Sequence, residues 1–303
     1  MTVANSIIRD NSEGGIYDGS LTVANSIISD NSEGGIYNNG GSVMILYSTL
    51  SGNSAGRGYG GGGISSGSFK SPGFVTILNS TISGNSADSG GGIFGTYSGV
   101  TIVNSTISGN SAKYDGGGIV TDFMTIVNST ISGNSAVERG GGIDGYGHTV
   151  IANSTLSGNS AASGGGIYNV PGQFGATLEI GNTILNAGPS GENIFNNGGT
   201  VTSHGYNISS DNGGGYLTGP GDQINTDPLL GPLQNNGGPT LTHAPLPGSP
   251  AIDAGDPNFT PPPFRDQRGR CFYRVFGRRI DVGSVETQPG PRCPTPAPRP
   301  TPH

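Results

Sequence analysis

The chain is predicted to be all-β: a right-handed parallel β-helix solenoid of about nine or more coils, with a C-terminal cap and a disordered Pro-rich tail. Three observations predict this. A marker dipeptide, Asn-Ser in its clearest copies, recurs at Asn5, Asn25, Tyr47, Asn79, Asn104, Asn128, Asn153, Gly181 and, more weakly, Gly205. The mean period is 25 residues with spacings from 20 to 32, and such a period with variable loops marks a solenoid. The repeated unit is rich in Val, Ile, Thr and Gly and contains no stretch with a helical period. Finally, Ile and Leu keep fixed places in the copies although hydrophobic residues make up only 31% of the chain. That regularity separates it from a low-complexity disordered sequence, since each coil buries a thin aliphatic ladder against two neighbours.

The unit is clearest at residues 101–119, TIVNSTISGNSAKYDGGGI. Val100, Ile102 and Asn104 alternate as in a strand, but Ile107 follows Ile102 by five positions, so the chain must bend between them. Asn104 is the natural bend residue, because asparagine tolerates a left-handed backbone better than other non-glycine residues. A second bend belongs at Gly109-Asn110, and Gly116-Gly117-Gly118 leads into a third strand at Ile119. Successive coils then pair in parallel about 4.8 Å apart. In-register stacking predicts two side-chain ladders, Asn104, Asn128 and Asn153 in one and Asn85, Asn110, Asn134 and Asn159 in the other.

Residues 1–226 carry the coils. Met1 opens inside a repeat, the first two units are nearly identical, and the sequence contains neither a signal peptide nor a transmembrane run of about 18 apolar residues. The chain is therefore expected to be N-terminally truncated, with the open parallel edge of its first coil as a site of self-association. Residues 1–264 hold 17 acids and five bases, whereas residues 265–303 hold eight Arg against three acids. An acidic rod argues against nucleic acid as a partner of the coils.

Two sets of residues in the coils are candidates for function. Asp122, Asp144, Glu138, Arg139 and His148 lie close in sequence on neighbouring coils, with Asp115 in the turn before its glycine run. Carboxylates with a base can bind a cation or transfer protons, and solvated turn charges are the plainer reading. Asp122 and Asp144 are expected to project outward from the third strand. Tyr97, Tyr146 and Tyr168 recur on one side of nearby coils, and exposed rings in that order would offer sugars a stacking surface. Packing of the rings over neighbouring coils is the alternative. Nothing in the sequence calls for a metal or a cofactor: the glycine runs lack the Gly-Lys-Ser/Thr ending of a phosphate loop.

Beyond residue 226 the composition changes. Residues 227–286 contain Asp227-Pro228-Leu229-Leu230-Gly231-Pro232-Leu233, Asn236-Gly237-Gly238-Pro239-Thr240, His243, Pro247-Gly248-Ser249-Pro250-Ala251-Ile252-Asp253-Ala254-Gly255, Asp266-Gln267-Arg268-Gly269 and Ile280-Asp281-Val282-Gly283. With the NST-ISGNSA-GGGI repeats, these motifs make nearly the whole chain similar to the bacterial right-handed parallel β-helix proteins that end in a choice-of-anchor Q region. The resemblance implies a secreted or surface-exposed protein and no catalytic residues. The two Ile-Asp-x-Gly stretches are 28 residues apart, close to one repeat. They are expected to stack as capping coils with Asp253 beside Asp281 and Arg268 bridging both carboxylates. Cys271 and Cys293 have no metal or redox spacing. In oxidising surroundings they would form one disulfide between tail and cap, and otherwise stay as thiols. Residues 287–303 read as a disordered Pro-rich tail.

Two function classes remain. The preferred one is a non-catalytic secreted or cell-surface β-helix protein, an adhesin or carbohydrate-contacting rod whose partner is an extracellular polysaccharide. The alternative is a lyase or glycoside hydrolase acting on such a polysaccharide, and it lacks the paired carboxylates and base that the chemistry needs.

Overall fold

A computed structural model describes residues 1–56, 60–68, 70–172 and 175–290. Parallel strands wind into a β-solenoid whose sheets contain fourteen, nine and three strands. There are about seven turns, slightly fewer than the nine or more coils expected. The terminal passes are shortened, with strands of two or three residues such as Thr2–Ala4, Ile16–Tyr17 and Ile208–Ser209.

Register follows the repeat. Ile77, Ile102, Ile126 and Ile151 pair in succession on one sheet, and Ile82, Ile107, Ile131 and Leu156 on the next. All are buried and belong to one continuous core. The bends fall on the asparagines, with φ of 50° at Asn104, 55° at Asn128 and 50° at Asn153. In the last two coils the left-handed residues are Asn182 and Tyr206, one position after the weaker markers Gly181 and Gly205.

The ladder through Asn85, Asn110, Asn134 and Asn159 is continuous and extends upstream to Asn53 and Asn31. Each Nδ2 donates to the next Oδ1, at 2.9 Å from Asn110 to Asn134 and from Asn134 to Asn159. The same Oδ1 also accepts the backbone N–H of the preceding asparagine, at 3.0 Å in both steps. The other ladder is partial. Asn128 Nδ2 donates to Asn104 Oδ1 at 2.6 Å, but Asn153 Oδ1 instead faces Arg274 of the C-terminal region. A serine ladder beside it, not expected from the sequence, has the N–H of Ser105 donating to Ser129 Oγ at 3.1 Å and that of Ser129 to Ser154 Oγ at 3.2 Å.

The C-terminal region departs from the expected capping coils. Residues 227–286 form isolated bridges but no strand, and they run back along the flank of the solenoid as a strap. Leu241 O accepts from Thr106 Oγ1 at 2.6 Å and Arg265 O from Asn128 Nδ2 at 3.0 Å. His243 Nε2 meets Ser132 Oγ at 2.9 Å, and the N–H of Gly283 donates to Asn182 O at 2.9 Å. Gln267, fully buried, accepts from Thr130 Oγ1 at 2.6 Å and donates to Thr106 Oγ1 at 2.9 Å. The physical reason is compositional: a segment so rich in proline has too few donors for a ladder, so it pairs through side chains with a row of coil threonines. Its apolar residues Ala251 and Val282 cover Ile184 and Ile208 on the last coils.

The strap's own polar core also differs from expectation. Asp253 and Asp281 are neighbours, with the N–H of Asp253 donating to Asp281 Oδ1 at 2.7 Å. Arg268 does not bridge them. It binds Asp266, at 3.0 Å through Nε, and lies 3.9 Å over the Phe272 ring. The cation beside Asp281 is the fully buried Arg274, which donates to Asp281 O at 2.8 Å. Cys271 is buried and is not a free thiol. Its expected partner Cys293 and residues 291–303 of the tail lie outside the described residues. Among the described residues, no helix is long and apolar enough to cross a membrane.

Candidate functional site

The five charged candidates separate into a buried cluster and scattered surface groups. Asp144 directly follows Ile143, the first residue of the strand Ile143–Ala152, in register with Val120 and Tyr168. This position points away from the aliphatic core, as expected, yet Asp144 is fully buried. The chain folds over it at the preceding glycine turn, where Gly140 has φ +64° and an added Cβ would lie 2.7 Å from Asp144 Cβ. Only glycine allows that approach at a positive φ.

Arg139 gathers the cluster. Its Nε lies 3.0 Å from Asp115 Oδ1 and 3.3 Å from Asp144 Oδ2, and its Nη2 donates to Tyr146 Oη at 2.7 Å. Tyr146 Oη in turn donates to Asp144 Oδ2 at 3.0 Å. Burial pushes the Asp144 carboxyl up to about 7, against the attraction of Arg139 and with help from the Asp115 charge. Asp115 is raised as well, chiefly by burial. Glu138 is exposed on its turn. Asp122 accepts the N–H of Tyr97, whose backbone is left-handed at φ 54°, and thus fastens a bend. His148 is exposed and shares a hydrogen bond with Thr177 Oγ1 at 2.6 Å.

The cluster makes stability depend on pH. The folded value for Asp144 lies above the ordinary 3.8, so the folded state holds this proton more tightly than the unfolded state. That contribution is fully present below pH 4 and is lost as pH rises to about 7, at up to ~1.4 kcal/mol per unit. Glu286, raised by burial to about 8, acts in the same sense. Wild-type melting temperature should therefore fall between pH 5 and pH 8, and Asp144→Asn should flatten the decline in thermal melts. Equal slopes for both proteins would rule out Asp144 as a source.

The three tyrosines do not form one exposed platform. Tyr168 is buried, stacked on Phe195 at 5.0 Å and 15°, with Arg139 5.5 Å from its ring. Tyr146 is half-buried with its hydroxyl engaged, and Tyr97 is half-buried at its bend. The equivalent glycine turn on the next coil, at Gly164, explains Tyr168, because the residue after the Gly-Ile step packs against that turn.

Exposed rings occur elsewhere, on the outward face of the largest sheet. Phe74, Gly99, Phe123 and His148 pair in register on four successive coils. Phe74 is 60% and Phe123 40% exposed. Beside them, Thr76, Thr101 and Thr125 form a second outward row, and the two rows line one shallow cleft. Gly99 lets the Phe74 ring lie across the next coil, since a Cβ there would come within 3.1 Å of Phe74 Cδ1. The sequence contains the signal: the alternation that turns Val75 and Ile77 inward turns Phe74 and Thr76 outward.

No protein-family profile and no curated protein matches the chain. Among solved structures, it is similar to pectate lyase Pel9A, with a TM-score of 0.55 and 16% identity, covering 93% of this chain and 70% of that one. At this identity the likeness is one of fold, a parallel β-solenoid.

Proposed function

We propose that the protein is a non-catalytic, carbohydrate-contacting β-solenoid of the cell exterior, and that the cleft between Phe74 and Phe123 is where a glycan lies. The observation that carries this reading is the registered pair of exposed rings beside a row of threonine hydroxyls. Aromatic faces offer sugars broad apolar contact and hydroxyls fix their orientation. The exterior location draws support from the resemblance of residues 227–286 to the choice-of-anchor Q region, which also makes a bacterial surface the setting.

Co-sedimentation with insoluble polysaccharides tests the proposal. Wild-type protein should pellet with at least one neutral polymer, and the Phe74→Ala, Phe123→Ala double variant should bind about tenfold more weakly, at ~0.5–1.5 kcal/mol per ring. Both side chains are exposed, so its melting temperature should hold. Unchanged pelleting by the variant would remove the cleft from consideration.

A second reading, a lyase or hydrolase acting on extracellular polysaccharide, draws on one observation: a carboxyl that burial raises to about 7 beside an arginine, a value suited to acid–base work near neutrality. Against it, Asp144 has no exposed surface. Among the described residues, no group of three His, Cys, Asp or Glu is placed to hold a metal ion. Depolymerisation of any glycan, abolished by Asp144→Asn, would favour this reading over the first.

A further inference from the structure

We infer that the ligand of the cleft is an uncharged, extended β-linked glycan lying along the solenoid axis with a two-sugar repeat, bound internally along its length. The inference rests on the cleft being the glycan site and adds the shape, charge and direction of the chain. Both rows of the cleft run from coil to coil: Phe74, Gly99, Phe123 and His148 in one, Thr76, Thr101 and Thr125 in the other. A ligand that uses either row must follow the axis.

The spacing sets the conformation. Coils are about 4.8 Å apart, close to the advance per sugar in a flat β-1,4-linked chain, so each sugar meets one threonine hydroxyl. Successive sugars of such a chain are flipped, and like faces return only at every second unit. The ring row has the same alternation, with a phenylalanine, a glycine and a phenylalanine on consecutive coils. The Phe74 ring leans across Gly99, with Cδ1 3.1 Å from where a Cβ there would stand, so sugars of like orientation can stack on Phe74 and Phe123 while the flipped one between them turns its edge to Thr101. A helical α-linked chain curves away from a straight row and cannot keep this register.

Charge excludes the acidic polymers. The body carries more acid than base, and the cleft is lined by aromatic, aliphatic and threonine side chains with His148 at one end and no Lys or Arg. The threonine row continues through Val150 to Glu179, a carboxylate beside His204 Nε2 at 2.9 Å. A polyuronate would find no arginine or lysine along the rows and an acid at their end.

Calorimetric titration of the full chain tests this with cellotetraose and mannotetraose, the corresponding disaccharides, maltotetraose and tetragalacturonate. The flat neutral tetrasaccharides should bind at least tenfold more tightly than the other probes. Phe74→Ala and Phe123→Ala should each weaken them severalfold, and Gly99→Thr, which pushes the exposed Phe74 ring out of its place, should weaken them with little change in melting temperature. Equal affinity for disaccharide and tetrasaccharide, or for maltotetraose, or tighter binding of tetragalacturonate, would overturn the extended neutral chain while leaving the cleft as a glycan site, provided Phe74→Ala still weakens binding. Binding that ignores both phenylalanines, or no binding of any probe, would overturn the glycan reading itself. If Gly99→Thr lowers the melting temperature, Gly99→Ala, with a smaller side chain, replaces it under the same criterion.

Discussion

Replacing Ile131 by Asp is expected to unfold the middle of the solenoid. Ile131 is fully buried and paired in register between Ile107 and Leu156. Its neighbours along the row are aliphatic, and an unpaired buried charge costs several kcal/mol even after relaxation. Domains of ordinary stability have only about 5–15 kcal/mol in total. Because each coil is stabilised by its two neighbours, loss of one in the middle withdraws support from both sides. Far-UV dichroism should lose most of its β signal at temperatures where the wild type is folded. Val137→Asp is the control, since Val137 is 67% exposed on a turn, and it should melt like the wild type. An unchanged Ile131→Asp protein would contradict the inward placement of this row.

Asn134→Leu is expected to have the next largest effect although the side chains are similar in size. Asn134 is fully buried in the continuous ladder. Leucine would leave the Asn110 N–H without its acceptor, take one of two acceptors from Asn110 Nδ2, and remove the side-chain donor from Ile107 O and Asn159 Oδ1, four bonds of 2.9 to 3.0 Å. Stranding a buried polar group costs about 1–3 kcal/mol, so the loss should exceed about 3 kcal/mol in denaturant titration. Asn104→Gly should cost far less. Glycine keeps the left-handed bend at φ 50° and gives up one bond, to Asn128. If the two variants lose similar stability, the ladder is not the source of coil-to-coil cohesion.

The coils are legible because their rules are local. Alternation fixes which side of a strand is apolar, and Asn or Gly is needed where the backbone turns left-handed, so Ile102, Asn104, Ile107 and Gly109 together specify two successive corners. Identical residues at equal intervals then place Asn110 above Asn85 and below Asn134. The same rules reach the cleft, since Phe74 and Phe123 stand at outward positions of clear strands. The expected platform of Tyr97, Tyr146 and Tyr168 follows instead the residues near each Gly-Ile step, where alternation stops predicting exposure. There a glycine turn folds back over the next side chain and buries Asp144 and Tyr168.

The strap is not legible for a different reason. Its contacts join residues more than a hundred positions apart, as from Gln267 to Thr106, and no period in residues 227–286 reports them. The near-repeat of Ile252-Asp253-Ala254-Gly255 and Ile280-Asp281-Val282-Gly283 does bring the two stretches together, with the N–H of Val282 donating to Ala251 O at 2.9 Å. It gives no hint that the pair docks on the flank of the coils. Arg268 and Arg274 are equally plausible partners for Asp281 by spacing, and only the packed structure distinguishes them.

The most direct test of a glycan-contacting solenoid is a crystal structure of the protein soaked with a neutral β-linked tetrasaccharide. Sugar rings should stack on Phe74 and Phe123, with hydroxyls facing Thr76, Thr101 and Thr125 and the chain parallel to the axis. Sugar bound over Arg139 and Asp144 with the aromatic cleft empty would contradict it.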